Sequence, residues 1–381
     1  MNTFERVRIQ GYRRLQNVEL NMRPLAVMIG ANGSGKTSLL EAWSLLAASC
    51  SGGLSGKISE LGGVNDIITR DKTDSIKFDI SMSVSGYQPL EYHLEIESQG
   101  QFYKIAKETL QQIRRDANRP FKHIDSSGLN IHYYDLENNQ LLRPNWEHNP
   151  LETSLAQVPK MFQEPESLRK RLASSTFYGA LTVTRNAPVR LPQPLRPATL
   201  PGVNGEDLVS CLYYLRETDR DRFEVLEDSL STAFPDFERL DFPPVAAGVL
   251  AMTWKDKNFA RPMYMHQLSE GTLRFLWLSA LLQSRDLTAV TLLDEPEVSL
   301  HPELLSLLAD LMREAAQRTQ LIVATHSDRL IRFLRPEEVL VVDVEDGSAK
   351  MTWADSLDLD HWLADYSLDE VWQMGRMGGR A

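Results

Sequence analysis

The sequence predicts an α/β fold in which a buried parallel sheet is joined to an antiparallel β subdomain and a partly helical insert. Three observations carry this. Leu25–Ile29 is a short, unbroken apolar run that ends in a glycine-rich turn and then a helical pattern, as expected of a central strand covered on both faces. Two further apolar runs, Ala289–Leu293 and Leu321–Ala324, flank a helical pattern over Pro302–Gln317, with Leu304, Leu305, Leu308, Leu311, Met312 and Ala315 at helical spacing. Between these regions, residues 75–135 read as an antiparallel meander with strands at Ile76–Val84, Glu91–Glu97 and Asn130–Tyr134.

The remaining elements follow in order. Phe4–Gln10 alternates apolar and polar residues and pairs with Val18–Met22, ahead of the central strand. A helix is expected over Lys36–Ala48, and Leu273–Leu282 reads as a buried helix despite Arg274. Val339–Trp353 reads as a hairpin turning at Glu345–Ser348. No internal repeat or long heptad run is visible. The expected division is a first lobe at 1–135, a helical and loop insert at 136–230 with a Pro-rich stretch at Pro188–Pro201, and a second lobe at 231–381.

The chain has 381 residues, 42% hydrophobic and 24% charged, which suits a soluble protein with a large core. Cys50 and Cys211 are unclustered, which fits a reducing cytoplasm and argues against a disulfide framework. Met1–Gln10 has no apolar leader core, and no run reaches membrane-spanning length, so no membrane partner is expected. The net charge of −11 weighs against non-specific coating of nucleic acid. Arg114-Arg115 with Arg119 and Lys122, and Arg169–Arg171, are basic clusters available for DNA, although a charge run is more often a solvated face.

Gly30–Thr37 matches G-x-x-x-x-G-K-[ST] in a strand–loop–helix context. Gly30, Gly33 and Gly35 let backbone N–H groups of the loop, with Asn32 and Ser34, wrap phosphate without an intervening Cβ, and the helix N-terminus at Lys36–Ser38 adds free donors. Lys36 is expected to reach β- and γ-phosphates, and the Thr37 hydroxyl to hold Mg²⁺. Thr291–Pro296 leaves a buried strand with two carboxylates. Asp294 is the candidate second Mg²⁺ ligand and Glu295 the candidate general base, the alternative being a solvated acidic turn. Leu268–Thr272 opens the buried helix; Ser269 caps it, and Gly271 leaves room for phosphate to approach. His326 follows the strand Leu321–Ala324, where an α/β sheet binds ligands, and could sense the γ-phosphate or position water.

In fixed order, GANGSGKT, LSEGT, LLDEPE and ATHS resemble ABC-class ATPases of the SMC, RecF and OLD branch. VRIQGYRRLQNVEL, EPEVSLHPELL and DYSLDEVWQMGRMGGR look like its compact "predicted ATPase" members, many of which lie beside phage-defence or toxin–antitoxin genes. The likeness covers both ends of the chain and little of the middle. It implies a P-loop NTPase fold of ABC/SMC-head type, with ATP and Mg²⁺ as ligands, and a homodimer that sandwiches ATP. Lys36, Thr37, Asp294, Glu295 and His326 of one copy would face the signature Ser269, Glu270 and Gly271 of the other. His301 would touch the partner's site or cap the helix after it. The family's Mg²⁺-linked glutamine is placed only by region, at Gln101, Gln111 or Gln112. Tyr12, Arg13 and Arg14 would meet adenine or phosphate, or form a solvated strand end. The long coiled coil of SMC proteins is absent, and the chain beyond His326 is short for the Toprim nuclease of OLD proteins.

The reading that follows is an ATP-gated dimerising switch controlling a separate effector protein, in phage defence or toxin–antitoxin control. The alternative is a RecF/SMC-like ATPase acting directly on DNA.

Overall fold

The computed structural model describes residues 2–113, 120–128, 130–135, 140–144 and 147–378. The chain opens with β1 (Phe4–Tyr12), β2 (Leu15–Asn21) and β3 (Leu25–Ile29), followed by the helix α1 (Lys36–Cys50) and the short helices α2 (Leu54–Glu60) and α3 (Val64–Ile67). Next come β4 (Ser75–Val84), β5 (Tyr87–Gln99), β6 (Phe102–Gln112), β7 (Phe121–Ser127), β8 (Asn130–Asp135) and β9 (Gln140–Leu142). Among the described residues these build an eight-stranded antiparallel sheet in the order β2-β1-β4-β5-β6-β7-β8-β9. The meander is therefore fuller than the sequence pattern suggested. β6 and β7 carry Lys104, Lys107, Glu108, Lys122 and Asp125 among their apolar positions, which obscured the alternation.

The described residues of the segment from 136 to 230, expected as an insert, contribute to both hydrophobic cores. It forms α4 (Ser154–Gln157), α5 (Gln163–Ala173), β10 (Thr176–Tyr178), α6 (Leu208–Thr218) and α7 (Arg220–Ala233), with β11 (Gln193–Pro194) inside the Pro-rich stretch. Leu168 and Leu172 of α5 share a core with α1, whereas Leu208, Leu212 and Leu226 of α6 and α7 belong to the other core. Small strands follow: β12 (Phe237–Asp241), β13 (Pro244–Ala246), β14 (Val249–Leu250), β15 (Thr253–Asp256) and β16 (Met263–Tyr264). The rest is α8 (Glu270–Gln283), β17 (Val290–Asp294), α9 (Leu305–Ala315), β18 (Gln320–Ala324), α10 (Asp328–Ile331), the hairpin β19 (Val339–Glu345) and β20 (Ser348–Trp353), then α11 (Asp360–Leu363) and α12 (Leu368–Gln373).

The second sheet runs β10-β17-β18-β3-β19-β20, parallel except for β20. It is buried on both faces, and side-chain alternation sends successive residues to different cores. Leu25, Val27 and Ile29 face the core made with α6–α9; Ala26 and Met28 face the core made with α1 and the antiparallel sheet. α1 is buried almost all round, with Trp43 packed edge-to-face on Phe4 at 5.5 Å.

α1 is anchored at its far end as well. Glu108 of β6 is fully buried, and its carboxylate accepts the N–H groups of Ser154 (2.6 Å) and Leu155 (2.8 Å) and the Tyr92 hydroxyl (3.0 Å). Thr153 Oγ1 in turn donates to the Ser49 carbonyl at 2.6 Å. Burial pushes the Glu108 carboxyl above its usual range, and these donors oppose that shift. Glu108→Ala would strand three buried donors, so a loss of about 2–3 kcal/mol is expected, seen as a lower urea midpoint at unchanged slope.

Candidate functional site

β3 delivers the chain to Gly30, whose φ is 156°; a Cβ there would lie 2.1 Å from the Val342 carbonyl oxygen of β19, so only glycine fits beneath the neighbouring strand. The loop ends in Gly35, left-handed at φ 118°, which precedes α1 without any side-chain cap. The first N–H groups of α1 are thus available to an anion. Asn32, Gly33 and Thr37 are exposed, Ser38 is half-buried, and Ser34 is buried with its Oγ lacking a partner. Lys36 is 3% exposed, and its ammonium donates to the Gly30 (2.6 Å) and Ala31 (3.0 Å) carbonyls of its own loop. Burial pulls its pKa down to about 8, against the pull of Asp294 and Glu295.

The two carboxylates lie at the carboxyl end of β17. Asp294 pairs in register with Ala324 of β18. Burial, and then repulsion from Glu295, Glu297 and Glu41, raises Asp294 to about 6, with Lys36 opposing. Glu295 adopts φ 50°, in the left-handed region that a non-glycine residue enters at a cost. Its N–H donates to the Ala324 carbonyl at 2.8 Å. That turn takes its side chain to His326, whose Nε2 lies 3.5 Å from Glu295 Oε1. Burial lowers the His326 pKa, Lys36 lowers it further, and Glu295 opposes, so the imidazole is held toward its neutral form.

Arg13, Arg14 and His326 line one open cavity of about 310 Å³ with Gly33, Gly35 and Lys36–Ser38. Arg13 also pairs with Glu41 on α1 at 2.5 Å. Tyr12, expected as a candidate contact for adenine, is fully buried and is not among the residues lining this cavity: Gly11, at φ 75°, interrupts the alternation set by Val7 and Ile9, and Tyr12 joins them in the core. The regional glutamine candidates are not here either. Gln101, Gln111 and Gln112 belong to the antiparallel sheet and its turns, and Gln112 Nε2 donates to the Gln88 carbonyl. β10 reaches the site edge instead: it pairs parallel to β17 with Tyr178 opposite Leu293, so the loop from Gly179 leaves the sheet beside Asp294. A three-residue strand gives no periodic signal in the sequence.

The signature segment lies apart from this cavity. Ser269 caps α8, accepting the Thr272 N–H at 3.1 Å, and borders a different cavity of about 290 Å³ with Phe234, Phe237 and Trp254. Arg190, unnoticed in the sequence, donates through Nη1 to the carbonyls of His266 (3.3 Å) and Leu268 (2.9 Å) and so braces the turn before α8. Glu270 accepts from Ser299 Oγ (2.8 Å) and pairs with Arg274 (2.9 Å), contacts that hold its carboxyl below the usual range. Gly271 faces the Ser299 carbonyl of its own chain, from which a Cβ would be 2.8 Å away. The glycine is therefore needed for packing within one copy, a reason the sequence did not reveal. His301 is exposed and accepts the Glu303 N–H at 3.5 Å, the helix-capping alternative.

Of the basic clusters, Arg114, Arg115 and Arg119 lie outside the described residues, and Lys122 pairs with Asp125 at 2.7 Å. Arg169 and Lys170 both pair with Glu166. Glu297, also unremarked in the sequence, is mostly buried and joins the loop holding His326: Thr325 Oγ1 and the His326 N–H both donate to its Oε1.

Thr37 and Asp294 present hard oxygen donors, and Asp294 stands among carboxylates without enough positive charge to balance them, which is an environment that fits Mg²⁺. Among the described residues no group of three or more His, Cys, Asp or Glu side chains could hold a metal alone, so remaining positions would fall to phosphate oxygens and water. Among the described residues, no helix is long and apolar enough to cross a membrane.

A glycine-rich loop between a buried parallel strand and a helix, facing an acidic strand end, defines a P-loop NTPase head. The chain belongs to the family described as "AAA domain, putative AbiEii toxin, Type IV TA system", whose model matches residues 25–332. No curated protein matches the chain. Among solved structures it is similar to an SMC head bound to the C-winged helix domain of ScpA, at 14% identity and TM-score 0.58, covering 92% of this chain and 97% of that one. It is also similar to SMC heads derived from Pyrococcus furiosus (12%, TM-score 0.55, 98% of each chain) and Pyrococcus yayanosii (12%, TM-score 0.52, 98% of this chain and 100% of that one). These likenesses establish a compact head of the ABC/SMC ATPase fold.

Gly271→Ala is expected to force the α8 start away from Ser299 and to lower stability by about 1–3 kcal/mol, read by thermal or urea unfolding.

Proposed function

We propose that the chain binds and hydrolyses ATP with Mg²⁺, and that ATP gates the pairing of two copies. The observation that carries this is the gathering of Lys36, Asp294, Glu295 and His326 at one edge of the parallel sheet, close enough to shift one another's ionisation. Gly30–Ser38 would cradle the phosphates, with Lys36 leaving its loop carbonyls for the β- and γ-phosphates. Thr37 and Asp294 would hold Mg²⁺, which supplies charge neutralisation of the phosphates when bound. Glu295 would take the proton of the attacking water, and a neutral His326 beside it would hold that water or sense the γ-phosphate.

The exposed Ser269 and the neighbouring Gly271 lie outside the cavity around Lys36, which supports their meeting a second copy's nucleotide. An acidic residue beside a γ-phosphate would be repelled; Glu270 is already committed to Arg274 and Ser299, which removes that obstacle. The family description and the binding of ScpA by a similar head support control of a separate effector protein, in toxin–antitoxin or phage-defence systems, in the cytoplasm. Direct action on DNA is the second reading. Glu166 offsets one of the two charges of Arg169 and Lys170, which reduces the basic cluster open to DNA and weighs against it.

Lys36→Ala is expected to abolish nucleotide binding in a calorimetric titration, and Glu295→Gln to retain binding while slowing phosphate release by about 10²–10⁴-fold. Normal turnover in either variant would remove the assignment. Bound phosphates raise the Lys36 pKa again, so binding above about 8 requires proton uptake. Affinity for Mg²⁺-free ATP should therefore be highest below pH 8 and weaken as pH rises beyond it, with proton uptake visible as a buffer-dependent binding enthalpy.

A further inference from the structure

We propose that Glu297 is a positioning residue that locks the loop carrying His326 to the strand end carrying Asp294 and Glu295, and so sets the facing of His326 and Glu295. The inference rests on the catalytic reading above. Among the described residues, two hydrogen-bonded links join these loops besides the Glu295–His326 contact itself. One is backbone: the Glu295 N–H donates to the Ala324 carbonyl at 2.8 Å. It holds the exit of β18 but stops short of His326. The other is the Glu297 side chain, which reaches past Pro296 to Thr325 and His326.

Its geometry leaves little freedom. The Thr325 hydroxyl accepts the Ser327 N–H at 2.9 Å, so its single proton goes to Glu297 Oε1. The His326 N–H points at the same oxygen, at 3.3 Å. Both neighbours are donors, which suits an acceptor-only carboxylate. The main chain is fixed too, with the Leu300 N–H on the Glu297 carbonyl at 3.0 Å. Oε2 is buried with no hydrogen-bond partner. A buried, half-satisfied carboxylate is costly to fold around. Burial accordingly holds this carboxyl above its usual range, against the Thr325 hydrogen bond. The arrangement is explained if the benefit falls on the residues it orients: Glu297 holds the His326 main chain through its N–H, and so sets where the ring sits at its 3.5 Å separation from Glu295.

The test compares Glu297→Ala, Glu297→Gln and Thr325→Val with the wild-type protein. It measures ATP affinity, single-turnover hydrolysis, thermal midpoint, and hydrogen exchange of the His326 amide in nucleotide-free protein. Glu297→Ala should keep ATP affinity within about twofold, slow hydrolysis by about 10–100-fold as expected for a misplaced catalytic group, and expose the His326 amide to exchange. Thr325→Val, which removes the partner hydroxyl and leaves Glu297 in place, should slow hydrolysis in the same direction. Glu297→Gln retains an acceptor oxygen and should recover much of both rate and protection. An unchanged His326 exchange rate in Glu297→Ala would overturn the proposal, as would a parallel fall of affinity, rate and thermal midpoint in all three variants. If the wild type binds ATP but does not hydrolyse it, the catalytic reading fails, and the exchange measurement still decides whether Glu297 positions His326.

Discussion

In-register parallel pairing of β17, β18 and β3 is the constraint on which the rest of the molecule depends. Asp294 lies opposite Ala324, and Ala324 opposite Met28, two residues before the phosphate loop begins. Adjacent strands stand about 4.8 Å apart, so the acidic end, the loop of His326 and the glycine turn are confined to one short edge. A slip of one residue would invert every side chain between the two cores. Because both faces are apolar, register is held by the particular shapes packed in each core, Leu25, Val27 and Ile29 on one side and Ala26 and Met28 on the other, and that packing therefore also fixes the site.

That edge carries more negative than positive charge. Glu295, Glu297 and Glu41 act together on the Asp294 carboxyl, and Lys36 opposes them while turned toward its own loop carbonyls. The site is held in tension that a cation and a polyphosphate relieve together, one by neutralising the acids and the other by drawing out the lysine. The signature segment is held differently, by contacts within its own copy: Arg190 on the preceding turn, and Ser299 and Arg274 on Glu270.

Legibility followed locality. The phosphate loop, the acidic strand end and the central strands were readable because each is a contiguous pattern with a local physical reason. Positions whose meaning depends on distant partners were not. Tyr12 looked available and is buried; Gly271 also carries a packing demand against Ser299 that its own segment does not show. Glu297 sat in an acidic run that reads as a solvated turn, and nothing local distinguishes a carboxylate that reaches Thr325. β10 is too short for a period, yet its pairing with β17 brings a further loop to the edge. The polar residues of β6 and β7 masked an alternation that pairing on both sides makes regular.

β3 gives its odd-numbered side chains to one core and its even-numbered ones to the other. Its partners β17 and β18 arrive from the far end of the sequence. Neither half of the polypeptide can complete either core alone, so synthesis must run nearly to the end before this sheet can close. A nascent chain paused after the antiparallel meander would display the apolar faces of β3 and α1 to any holdase in reach, and severed halves would need each other to reconstitute the molecule.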